Sequence, residues 1–113
     1  MKKLLFMIVT ALTLTSCGTK NLYSWYNYED ATYQYSKKRT DELKDKMLSQ
    51  YQKMSQKQNG TRGVVPPGLN AEYGFALCMD GKTEEGLKYL RAEIELYPES
   101  EIFISRIIKQ FEK

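Results

Sequence analysis

Residues 64–100, VVPPGLNAEYGFALCMDGKTEEGLKYLRAEIELYPES, decide how the rest of the chain is read. Pro66 and Pro67 lack amide donors and push the residues before them into extended geometry, so no helix runs through them. A helix starts near Leu69. Leu69, Tyr73, Ala76 and Leu77 then recur at steps that share one face of a helix, and Asp80-Gly81 supplies a glycine stop. A second helix follows at once, with Thr83 as its cap and Glu84 and Glu85 at the positive end of its dipole. Leu87, Leu90, Ile94 and Tyr97 form its apolar stripe, and Pro98 ends it. The spacing predicts a helical hairpin over residues 68–98.

This hairpin resembles a tetratricopeptide repeat, a helix-turn-helix unit of about 34 residues. In that register Gly74 takes the glycine of the first helix, with Tyr73 and Leu77 on the large positions around it. Gly86 and Leu90 take the small and large positions of the second helix, and Pro98 takes the closing proline. Small residues at 74 and 86 let two backbones approach closely. The chain departs from the repeat at Asn70, where tryptophan is preferred, and at Glu93, where a small residue is usual. Such repeats line a concave groove with their first helix. The resemblance thus implies that Ala71, Glu72, Phe75, Cys78 and Met79 face a ligand, with Phe75 and Met79 as apolar contacts and Glu72 as a polar anchor.

Working outward, residues 21–36 hold six aromatic rings, among them Trp25, the chain's one tryptophan. Trp25, Tyr28, Thr32 and Tyr35 share a helical face, while Tyr26 and Tyr33 lie on another. Two readings stand: rings filling a core short of aliphatic residues, or a contact surface for a partner protein, glycan or lipid headgroup, with Trp25 and Tyr26 as its binding residues. From Lys37 the chain turns basic. Thr40-Asp41 caps a helix striped by Leu43, Met47, Tyr51 and Met54 and ending near Gln58. Residues 37–62 carry a net +5 and residues 63–101 a net −5. Such halves either attract one another within the fold or orient the domain toward an anionic surface. Residues 56–67 read as a linker around the turn dipeptide Asn59-Gly60. A last helix follows Glu99, capped by Ser100, with Ile104, Ile107, Ile108 and Phe111 as its apolar face and Ile102 and Phe103 beside them. It seals the hairpin, because a repeat cannot bury its own exposed side. The expected fold is all-α, with about five helices in tetratricopeptide-like hairpins and a C-terminal capping helix, forming one domain over residues 23–113.

The amino terminus carries an address. Met1-Lys2-Lys3 is a basic segment, residues 4–14 are apolar but too short to span a bilayer comfortably, and Leu14-Thr15-Ser16-Cys17 follows. This resembles the lipobox of bacterial lipoproteins. The resemblance implies a signal peptide over 1–16, cleavage before Cys17, acylation of Cys17, and a lipidated tether over 17–22; several acyl chains on one residue anchor durably. Gly18, where an aspartate would retain the protein in the inner membrane, implies a periplasm-facing anchor in the outer membrane. Without the leader the net charge falls from +3 to +1, which removes any bulk-charge case for nucleic acid.

With Cys17 lipidated, Cys78 has no partner in the chain. It is either a small buried hydrophobe or half of an intermolecular disulfide. The chain has no histidine, so common zinc and triad chemistries lack parts, and neither a metal nor another cofactor is expected. Paired acids such as Glu84 with Glu85 read as partners of a helix dipole rather than as hydrolytic carboxylates. No catalytic residue emerges, and an enzyme is not expected. A second resemblance covers nearly all of the mature chain. The lipobox, LYSWYNYE, VPPGLNAEYG and LYPES are similar to a family of small bacterial lipoproteins of unknown function, carried here by Trp25, Tyr28, Pro66, Pro67, Gly68, Gly74 and residues 97–100. Its members are encoded beside a lipoprotein related to the curli secretion-pore subunit, which implies an envelope lipoprotein or pore as partner. The expectation is a membrane-anchored periplasmic adaptor. The alternative is a glycan-binding or enzymatic envelope lipoprotein that uses the aromatic patch.

Overall fold

The computed structural model describes residues 21–112, and every regular element among them is helical. In order they are α1 (Tyr28–Lys37), α2 (Asp41–Gln56), α3 (Leu69–Met79), α4 (Thr83–Leu96), a 3-10 turn (Pro98–Ser100) and α5 (Glu101–Phe111). This is the expected all-α class with five helices, the last at the C-terminal end. The leader expected over residues 1–16 and the lipidation site Cys17 lie outside the described residues.

The central hairpin forms where its local signals put it. α3 starts at Leu69 after Gly68, whose φ of +92° favours glycine. It ends in a Schellman motif: the Gly81 amide donates to the Cys78 carbonyl at 3.2 Å and the Lys82 amide to the Leu77 carbonyl at 2.9 Å, with Gly81 at φ +87°. This turn changes one expectation. Lys82, not Thr83, occupies the cap position of α4, and no side chain caps that helix, because the turn is too short to hold Thr83 outside it. Ser100 likewise spends its hydroxyl on the Tyr97 carbonyl at 2.7 Å, closing the 3-10 turn instead of capping α5. Thr40 does cap α2, accepting the Leu43 amide at 3.2 Å.

α3 and α4 touch backbone to backbone. A Cβ added at Gly74 would sit 2.6 Å from the Gly86 carbonyl oxygen, and one at Gly86 would sit 2.5 Å from that of Gly74. Both positions must therefore be glycine for the helices to approach this closely. α3 also divides two cores. Ala31, Met47, Tyr51, Met54, Leu69, Tyr73 and Leu77 are buried between α1, α2 and α3. Cys78, Leu87, Leu90, Ile104 and Ile108 are buried between α3, α4 and α5. Ile107 and Phe111 pack on the second core, so α5 does seal the hairpin, but Ile102 and Phe103 point outward at 74% and 67% exposure.

The loop before α3 is clasped from the far end of α4. Pro66 is fully buried, the Gly68 amide donates to a carboxylate oxygen of Glu93, and the Tyr97 hydroxyl donates to the Val65 carbonyl at 2.5 Å. Residues 57–62 are not a loose linker either. The amides of Thr61 and Arg62 donate to the carbonyls of Asn21 and Leu22, each at 3.1 Å. The side chain of Gln58 accepts the Ser24 amide at 2.8 Å and donates to the Ser24 and Met54 carbonyls at 3.0 and 2.9 Å. Asn21 and Leu22, expected at the end of a tether, are thus bonded into the domain.

Candidate binding cleft

Three helices converge on a cleft of about 530 Å³. α3 contributes Glu72, Phe75, Ala76, Met79 and Asp80, α2 contributes Lys44, Met47 and Tyr51, and the end of α1 brings Tyr35 with Arg39 just beyond it. The helical repeat explains the α3 set: positions 72, 75, 76 and 79 share one face, while 70, 74, 77 and 78 lie on faces turned toward the neighbouring helices. Phe75 is 43% exposed and Met79 67%. These are large apolar groups left in water beside a concavity, which is where a protein offers binding area. Phe75 is braced from behind by Phe111, ring centroids 5.9 Å apart in an edge-on arrangement. Another hollow, between α1 and α2, is lined by Leu43 and by polar groups such as Asp30, Glu42, Asp45 and Gln50; its apolar residues, Leu43 and Ala31, are half-buried and buried rather than left in water.

The polar groups of the cleft are fixed. Glu72 accepts the Tyr28 hydroxyl at 2.7 Å, tying α1 to α3. Burial first, and the bond to Glu72 second, push the Tyr28 phenol up to about 12. Tyr51 is raised further for the same leading reason, with the Glu72 charge adding to it. Both rings therefore remain neutral donors at any physiological pH. On the other wall the Lys44 ammonium lies 2.6 Å from Asp80 and 3.5 Å from Asp41. Its hydrogen bond holds the Asp80 carboxyl below the usual range and Lys44 above its own. Here the basic and acidic halves meet in a single short contact between α2 and α3. The Arg39 guanidinium sits 5.8 Å over the Tyr35 ring, and no carboxylate among the described residues pairs with it. The cleft thus offers an apolar floor at Phe75 and Met79, an occupied acceptor at Glu72 and a free cation at its rim.

The sequence-predicted residues divide between two surfaces. Glu72, Phe75 and Met79 come together in the cleft. Cys78 does not: it is 6% exposed, its thiol donates to the Thr83 carbonyl at 3.8 Å, and a Cβ on Gly86 would strike its sulfur. Standing four residues after Gly74, it shares that glycine's face and points at α4. Burial pushes its thiol pKa up, so it is a packing residue. Ala71 is half-buried against the second core. Trp25 and Tyr26 lie on the segment before α1, where they line a separate hollow with Asn59, Gly60 and Thr61.

The aromatic stretch has a double role. Tyr23, Trp25, Tyr28, Tyr51, Tyr73 and Tyr89 form a continuous ladder, with successive centroids 6.2, 5.4, 5.8, 5.9 and 4.4 Å apart. It runs from the amino-terminal segment through α1, α2 and α3 to α4. Tyr28 and Tyr35 pack on the core, whereas Trp25, Tyr26 and Tyr33 remain substantially exposed. Sequence reasoning missed Tyr35, Arg39 and Lys44 as cleft residues; the run of positive charge was the visible signal. Among the described residues no three His, Cys, Asp or Glu side chains gather to hold a metal ion, and no helix is long and apolar enough to cross a membrane.

Among curated proteins and among solved structures no match to the chain was found. Residues 22–107 match the model of a domain of unknown function (DUF4810), a span running from the docked amino-terminal segment into α5, and the chain belongs to that family.

Proposed function

We propose that the chain is a lipid-anchored, periplasm-facing accessory subunit of a bacterial envelope complex, and that it holds a segment of a partner protein in the cleft between α1, α2 and α3. The exposure of Phe75 and Met79 beside fixed polar groups carries the reading: these two side chains lose the most water when a partner's apolar residue enters. Leu14-Thr15-Ser16-Cys17 supports the anchor, and Gly18 supports delivery to the outer membrane. The similarity to lipoproteins encoded beside a curli-pore-related subunit supports a secretion or assembly complex as the setting. In this reading the protein binds and positions, and has no catalytic step of its own.

A photo-crosslinking residue placed at Met79 in the otherwise native lipoprotein tests the cleft. A discrete adduct is expected in intact cells, lost on Phe75→Ala, and absent when the crosslinker stands at Lys109 on α5. Equal adducts from both positions, or none from Met79 with acylation of Cys17 verified by mass, defeat the cleft as the partner site. If instead Trp25 emission shifts on adding peptidoglycan fragments, the aromatic surface binds sugar and the adaptor reading gives way.

A further inference from the structure

Outside the cleft, Leu22, Trp25 and Tyr26 are exposed at 54%, 47% and 41%, on a segment pinned to the loop over residues 57–62. Tyr26 is held in a left-handed backbone, φ +49°, that side chains other than glycine seldom adopt. Its hydroxyl donates to the Lys57 carbonyl at 2.7 Å, and the Lys53 ammonium lies 5.1 Å from its ring centroid. Lys53, Lys57 and Arg62 are exposed, Lys53 over the Tyr26 ring and the other two on the stretch whose backbone holds this segment, and among the described residues no carboxylate pairs with any of them. Glu29 and Asp30 line the hollow on the α1 side of Tyr26 and bound the patch there.

We infer that this face is a membrane-contact surface, with Leu22, Trp25 and Tyr26 entering the headgroup region of the bilayer and Lys53, Lys57 and Arg62 meeting anionic lipid phosphates. The inference rests on the reading of Cys17 as the lipidated residue and adds an orientation to it. Only Gly18, Thr19 and Lys20 separate Cys17 from Asn21, whose carbonyl is bonded to Thr61. Fully extended, that stretch reaches about 14 Å, so the docked segment stays at the bilayer surface whatever the rest of the domain does. Aromatic rings with polar tips favour that depth, and basic side chains within a Debye length of an anionic leaflet are drawn to it. A protein partner for the patch has no such constraint supporting it.

Trp25 makes the test direct, because its emission is the chain's entire tryptophan signal. The acylated protein is reconstituted into vesicles of phosphatidylethanolamine and phosphatidylglycerol whose acyl chains carry bromine close to the headgroup. Expected are a shift of emission to shorter wavelength and quenching by the brominated lipid. Both should diminish in vesicles of zwitterionic lipid alone and in the variant K53Q/K57Q/R62Q, while co-sedimentation with vesicles is unchanged. An acylated, co-sedimenting protein whose Trp25 emission is neither shifted nor quenched overturns the inference and leaves the patch to another partner. A mature protein whose mass shows no acyl chains overturns the anchor reading, and the inference falls with it.

Discussion

Glu93 is a carboxyl carried into the protein at 2% exposure, with one oxygen accepting the Gly68 amide and the other buried without a donor. Burial raises its pKa, with the nearby Glu99 charge adding and the Gly68 bond opposing. A carboxyl with a raised folded-state pKa binds more protons folded than unfolded, so its contribution is fully present below the unfolded value of about 4.3 and is lost as pH rises through the folded value. Asp80 works the other way: held low by Lys44, it contributes stability that disappears as pH falls. Glu93→Gln keeps an acceptor for Gly68 and cannot ionise. Relative to wild type, the variant should gain stability in urea unfolding as pH rises above the unfolded value, and parallel profiles would refute this reading. Gly86→Ala poses a contest of effects. Alanine adds about 1 kcal/mol of helix propensity, but its Cβ would lie 2.5 Å from both the Gly74 carbonyl and the Cys78 sulfur. The overlap wins, because one of those atoms is backbone. A net loss of about 1–3 kcal/mol is expected, seen as a fall of the thermal midpoint by several degrees.

At the scale of elements, what was legible in the sequence was what chain neighbours decide. Pro66-Pro67, Asp80-Gly81 and Pro98 bound α3 and α4 correctly, and the Gly74 to Gly86 register was readable because a glycine pair is the local trace of a close helix contact. The same register, followed four residues on, puts Cys78 with Gly74 against α4 and leaves Glu72, Phe75 and Met79 together. The docking of the amino-terminal segment was not legible. Asn21 and Leu22 engage through carbonyls, which every residue has, so no side-chain pattern announces them. Gln58 looked like linker polarity and proved to be the residue that ties Ser24 to the end of α2. Gly60 is the nearest thing to a signal, since a Cβ there would overlap the Leu22 carbonyl. Gly60→Ala should release this segment without unfolding the helices: hydrogen exchange at the Thr61 and Arg62 amides rises while exchange in α3 is unchanged. Slow exchange at both amides in the variant would show that the loop shifts to keep the segment.

For the molecule as a whole, α3 makes the two cores interdependent. Leu77 belongs to one and Cys78 to the other, one residue apart on the same helix. Met54→Ala in the first core and Leu90→Ala in the second each delete a side chain with 0% exposure and should cost about 2–5 kcal/mol. Each variant is expected to melt in one transition in which helix content and Trp25 emission change together. Two separated transitions in either variant would mean that the cores fold as independent units. The cleft and the aromatic ladder are properties of this joint packing, which is why Tyr35, Arg39 and Lys44 could not be placed beside Phe75 from periodicity alone. The buried thiol has a practical corollary. If Cys17 is acylated as proposed, Cys78 is the lone sulfhydryl left, and it is shut behind the Gly74 to Gly86 contact. A thiol reagent can therefore reach it only when α3 and α4 part, so its modification in plain buffer reports the open population of the hairpin at low reagent and the opening rate where reaction outpaces reclosing.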